Sequence, residues 1–199
     1  MPQDTHFDLS NDELALLSDS RFLLEKRVIT EKMVALLGGL DRELRCHFSK
    51  WPAPFPVDTA PGGPGKISRG ENLHGLPFLV LDQPAIYKPE GTLALRVVFW
   101  WGNYFLISFQ ASGDLYKHAG SIQLNRLDKD IRYLASEDIW EIRETHYTFL
   151  PQNGDTKNIK ARAEKTGFIK LGLVVPLSGY RELTEKAIRF VKAIQQALE

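Results

Sequence analysis

Apolar positions change their spacing along the chain, and each change marks a change of element. In the stretch from about Arg21, Ile29, Met33, Leu36, Leu37, Leu40 and Leu44 recur at three- and four-residue intervals, the signature of one buried helix face. Ahead of them, Ser10-Asn11-Asp12-Glu13 forms a capping box that predicts a first helix starting at Asn11, with Leu9 and Leu14 at the two positions of a hydrophobic staple. The pair Gly38-Gly39 is expected to kink or divide the longer helix, because each glycine lowers helix stability by about 1 kcal/mol relative to alanine.

Further on, the pattern turns to β-branched and aromatic runs. Residues 76–81, 92–101 and 104–111 read as strands, and Pro77 and Pro84 place the first near an edge. Gly102-Asn103 has the composition of a two-residue primed turn, which sets Trp101 opposite Tyr104, Phe99 opposite Leu106 and Arg96 opposite Phe109. In that register both hairpin faces are mainly apolar and both need a cover. Beyond Gly113, residues 122–134 suit a helix, 139–150 fit helix and strand equally, and 152–165 are polar enough for an exposed loop. Residues 168–176 read as a strand, and residues 180–198 as an amphipathic helix with Leu183, Ala187, Phe190, Ile194 and Leu198 on one face. The fold class that follows is α+β: N-terminal helices, an antiparallel sheet centred on the hairpin, and a C-terminal helix packed on it. One domain is expected over residues 1–199, with a helical segment at 1–50, a Pro/Gly-rich connector at 51–66, and sheet plus helices at 67–199. Eight of the 11 prolines lie between Pro52 and Pro89, which makes this stretch the main break in regular structure.

Charge narrows the functional classes. Lys and Arg number 25 against 25 Asp and Glu, so whole-protein attraction to nucleic acid or to an anionic membrane has no basis. The balance is uneven, however: residues 70–113 hold only Glu71, Asp82, Lys88, Glu90 and Arg96, which marks them as the core. The single Cys46 permits no intramolecular disulfide and belongs to no C-x-x-C motif, which favours a reducing compartment, the cytoplasm by default. Neither a signal-like start nor an apolar run of about 18 residues is found, so secretion and membrane spanning are not expected.

Candidate chemistry gathers at the entrance to the core. The run from Ala60 to Ile67 departs from a phosphate-binding loop at the first glycine and at the hydroxyl position, and its prolines remove amides. The following 66–77 loop brings together Arg69, Glu71, Asn72 and His74, residues that could grip a polar ligand but whose simpler reading is turns and mutual ion pairs. Arg96, the one charge within the two hairpin strands, needs a partner, and Asp82 and Glu71 are the candidates. The five histidines show no metal-ligand spacing, although His74, His118 and His146 form the set best able to converge. Cys46, between Leu44 and Phe48, reads as a buried thiol, and the carboxylates at 128–144 read as a solvated surface. Aromatics of the hairpin read as core rather than as a base-stacking platform.

Two functional readings follow. The first is a binding or interaction module that uses the 66–77 loop beside an aromatic-rich sheet, with Arg69, Glu71, Asn72, His74, Asp82, Arg96 and Trp101 as ligand-binding candidates. Its partner is a small polar ligand or a protein, with no nucleic acid, no membrane and no cofactor or metal, and a homodimer through an apolar face is a further candidate. The alternative is a small hydrolase or transferase built on Glu71, His74, Asp82 and Arg96, with a carboxylate or His as general base.

Overall fold

A computed structural model describes residues 8–48, 63–151 and 154–199. Most of the connector at 51–66 therefore lies outside the described residues. The fold is α+β, with five α-helices and one seven-stranded sheet among the described residues, the strand pairings all antiparallel. Helices α1 (Asn11–Ser18) and α2 (Ser20–Phe48) come first, then β1 (Lys66–Leu73), β2 (Leu76–Lys88), β3 (Gly91–Trp100) and β4 (Tyr104–Ser112). After the short α3 (Asp114–Ala119) come β5 (Arg132–Leu134), β6 (Tyr147–Phe149), α4 (Lys157–Thr166), β7 (Phe168–Pro176) and α5 (Leu183–Leu198). The strands lie side by side in the order β1-β2-β3-β4-β7-β5-β6.

The N-terminal signals act as expected. The Ser10 hydroxyl accepts from the Glu13 amide at 3.2 Å, and the Glu13 carboxylate accepts from the Ser10 amide at 2.7 Å. The Asp19 carboxylate accepts from the Phe22 amide at 3.0 Å and so starts α2 directly after α1 ends. Gly38-Gly39 does not divide α2, which runs unbroken through them. Leu37, Leu40 and Leu44 around the glycines are fully buried, and that packing outweighs a local propensity loss of ~2 kcal/mol. Asp41 on the same face accepts from the Gly65 amide at 2.8 Å and pairs with Arg45, so α2 fixes the point where the chain enters the sheet.

The sheet differs from expectation in its turns. Residues 66–73, read as a loop, form β1, and the two-residue primed turn lies at His74-Gly75, where both residues have positive φ. The β3–β4 connection uses three residues, Trp101, Gly102 and Asn103, closed by the Asn103 amide donating to the Trp100 carbonyl at 3.1 Å. Arg96 consequently faces Ser108, and Phe99 faces Phe105. A one-residue change of register exchanges the two faces of one strand relative to its partner. One hairpin face becomes wholly apolar (Leu93, Leu95, Val97, Phe99, Phe105, Ile107, Phe109 and Ala111), and the polar residues move to the other. Strand β2 is an interior strand. Its Pro84 is accommodated at a bulge between Asp82 and Ala85, where no ladder donor is needed.

The apolar face packs against α2 and α5 in the main core, with Leu183, Ala187, Phe190 and Ile194 of α5 buried as their spacing predicts. Residues 122–134 do not form a helix: a 3-10 turn at Leu124–Arg126 precedes β5, and the buried Ile122, Leu127, Ile131 and Leu134 serve as anchors of an irregular segment. Conversely, 157–166 of the polar stretch form α4, held by Ile159 and Ala163 one turn apart and closed by Gly167 in the left-handed conformation. Cys46 is exposed rather than buried, because it stands on the outer side of α2, with its thiol 3.9 Å from the Arg42 carbonyl. Among the described residues, no helix is long and apolar enough to cross a membrane.

Candidate functional site

On the sheet face away from the helices, register aligns a row of residues across six strands: Lys66, Asp82, Arg96, Ser108, Gly172 and Arg132. Strand alternation puts Gln110 and its cross-strand neighbour Lys170 on the same face. This face has its own smaller core of Val80, Val98, Trp100, Leu106, Leu134, Ile142, Tyr147 and Phe168. Its cover is a strap at residues 138–146, mostly irregular, which ends in β6. The Lys170 ammonium donates to the Ile139 and Glu141 carbonyls, both at 2.9 Å. Tyr147 donates its hydroxyl hydrogen to the Glu141 carbonyl at 3.2 Å, and Tyr104 does so to the Ile142 carbonyl at 3.0 Å. Gly172 leaves the room for the Tyr147 ring: a Cβ there would stand 2.7 Å from it.

Several charges on this face are paired. Arg96 Nε donates to Asp82 Oδ1 at 2.8 Å, and the guanidinium lies 5.0 Å from the centre of the Trp140 ring. Burial pushes the Asp82 carboxyl above its usual range, while Arg96 and a hydrogen bond from Tyr87 oppose that shift. Burial also pushes Tyr87 upward. Glu141, read from sequence as part of a solvated surface, is buried at 6% exposure. Its carboxylate accepts from the Ile142 and Arg143 amides at 2.8 Å and pairs with the Arg143 guanidinium, which lowers its pKa to about 2. His74 and His146 flank it at 3.5 and 3.8 Å. Lys170 is 2% exposed, and burial lowers its pKa to about 7. The Ser108 hydroxyl and both polar atoms of the Gln110 amide are buried without a hydrogen-bond partner.

The sequence candidates divide between the two faces. Asp82, Arg96 and His74 belong to the strapped face. Arg69 shares the helix-side face with Leu79 and is exposed, and Glu71 forms an ion pair with Lys26 of α2 at 2.9 Å. Asn72, near the end of β1, accepts from the Gly75 amide through its side-chain Oδ1 at 3.1 Å and so closes the turn. Trp101 packs against the main core with its ring 5.4 Å from Phe99. Glu71 thus stands across the sheet from Asp82 and Arg96, because the odd–even alternation of β1 sends it to α2. Of the three histidines, His74 and His146 come together around Glu141, and the side chain of His118 lies outside the described residues. No group of three or more His, Cys, Asp or Glu suited to a metal ion occurs among the described residues. The residues missed by sequence reasoning are Lys170, Glu141 and Gln110. Lys170 did carry a signal, as the only charge in the strand Phe168–Pro176.

A second candidate surface lies on the helix side. Ile29, Lys32, Met33 and Leu36 of α2 border an apolar groove of about 470 Å³ with Trp101, Leu177 and Tyr180. Toward the N-terminal end of α2, Phe22, Leu23, Leu24, Val28 and Ile29 are exposed, as are Leu14, Leu16 and Leu17 of α1 and Leu9 just ahead of it. No residue of α1 is buried. Nine of the 14 exposed large hydrophobics among the described residues fall within residues 9–29.

Comparison of the chain with known protein families, with curated proteins and with solved structures finds no match.

Proposed function

We propose that this protein is an interaction module that binds another protein through its N-terminal helical arm and the adjoining groove. The observation that carries this reading is the concentration of exposed apolar side chains in residues 9–29. Nine large apolar side chains are exposed within 21 residues, and exposed apolar surface gathered in one region of a chain marks an interaction site. A helix whose apolar residues face solvent gains no stability from burying them within its own chain, so their retention fits a surface completed by a partner. The polar face supports the same reading from the other side. Lys170 and Arg96 reach the strap from the sheet, Asp82 is paired with Arg96 and Glu141 with Arg143, and Glu71 stands on the opposite face of the sheet. Those contacts favour a structural role for this cluster over a general acid–base pair.

A photoreactive benzoyl-phenylalanine placed at Leu24, with a control at the exposed Lys192, tests the proposal in cells that express the chain. Protein adducts at position 24 and none at 192 are expected. Equal labelling at the two positions, or none at 24, overturns the reading.

A further inference from the structure

Resting on that reading, we infer that the partner is a second copy of this chain, with the two arms packed antiparallel about a two-fold axis and each α1 laid toward the groove of the other copy. Three observations converge on this occupant. An arm and a groove, both apolar and both open, are carried by the same chain, and an isologous pair satisfies both at once, residue i on j and j on i. Area agrees as well. Nine side chains at roughly 100 Å² each are of the size of the ~800 Å² that one partner contributes to a stable complex.

Charge supplies the direction. Residues 8–19 hold Asp8, Asp12, Glu13 and Asp19 with no cation, whereas residues 20–33 hold Arg21, Lys26, Arg27 and Lys32 against Glu25 and Glu31, an excess of two positive charges that the Lys26–Glu71 pair reduces to one. Antiparallel arms set the acidic end of each over the basic end of the other, and parallel arms would set like on like. The same arrangement brings Leu14, Leu16 and Leu17 to the Met33–Leu36 end of the partner copy, where Trp101, Leu177 and Tyr180 complete the groove. With zero formal net charge, two copies approach without bulk repulsion.

The test is sedimentation equilibrium of the full chain at micromolar concentration, beside the double variant Leu17→Glu/Leu24→Glu, whose sites are exposed and outside either core. The parent is expected at twice the 22.6 kDa chain mass and the variant at the single mass with an unchanged circular dichroism spectrum, a weakening of more than about a hundredfold. A parent at 22.6 kDa throughout overturns the dimer, and capture of a different protein by the probe at Leu24 then leaves the interaction reading standing. A variant that stays dimeric overturns the arm as the contact. Mixed isotopically heavy and light copies carrying the photoprobe at Leu16 give a readout independent of the variant's folding. Heavy-to-light cross-links onto 33–36 or 177–180 are expected, and cross-links within single copies only overturn the proposal.

Discussion

Asp82 and Arg96 stand opposite each other on β2 and β3, with Arg96 Nε donating to Asp82 Oδ1 at 2.8 Å beneath the Trp140 ring. The pair is the one place where the central strands carry opposite charges face to face, and Asp82 is only 5% exposed. Replacing Arg96 with Met leaves that carboxylate buried and unpaired, at a cost of about 3–5 kcal/mol near neutral pH. Protonation relieves such a charge, so the loss is expected to shrink as pH falls toward the carboxylate range. Urea unfolding of parent and variant at pH 7 and pH 4 measures this, and an equal loss at both would contradict it. The double variant Asp82→Asn/Arg96→Met should recover part of the stability, since neither charge then remains.

Lys170 makes the opposite demand on pH. Its pKa falls to about 7 in the folded chain from a model-compound value of 10.5, so the unfolded chain binds more protons between those limits and stability rises with pH across that window. The whole rise is on the order of 4 kcal/mol. In Lys170→Met the slope of unfolding free energy against pH from 7 to 10 should flatten. A slope identical to that of the parent would show that the ammonium is not the buried group responsible.

Glu141 contributes to the acid limb. Its pKa of about 2, set by Arg143 and two backbone amides, means that its contribution is complete above the ordinary carboxylate value of 4.5 and is lost as pH falls through about 2. Glu141→Gln should therefore weaken the protein at pH 7 and flatten its acid transition. The strap carries Trp140, so tryptophan fluorescence in the same titration reports whether the loss begins there.

Gly172→Ala tests the fit of the strap against the sheet. The added methyl group meets the Tyr147 ring at 2.7 Å, and moving the ring is expected to cost about 1–3 kcal/mol. Tyr147→Phe, which keeps the ring and gives up only the hydroxyl bond to the Glu141 carbonyl, should cost about 1 kcal/mol. Thermal unfolding of both variants separates packing from hydrogen bonding.

Elements with strong local signals were legible in the chain. The capping box at Ser10, the periodic leucines of α2, the apolar run Phe168–Pro176 and the amphipathic α5 all form where the spacing places them. Weaker signals misled in identifiable ways. Strand β1 is short of apolar residues because Arg69 and Glu71 face outward beside α2, and α4 shows only Ile159 and Ala163 as buried contacts. Of the candidate site, the Asp82–Arg96 partnership was readable, since a lone charge in an apolar hairpin requires a counter-charge and Asp82 was within reach. The role of Glu141 was not, because its burial depends on a strap held by Lys170 from a strand 29 residues away.

What the sequence determined by itself, then, is the α+β class, the helices with capping and periodic faces, and the charge-poor centre around Arg96. Which side of the sheet each residue occupies follows instead from strand register and packing. The reason lies in a single turn: three residues rather than two between β3 and β4 move Arg96 from Phe109 to Ser108. Strand side chains alternate with period two, so this one-residue difference puts Arg96, Ser108 and Gln110 on the face of Asp82 and Lys170 and leaves the other face of the hairpin wholly apolar for α2 and α5.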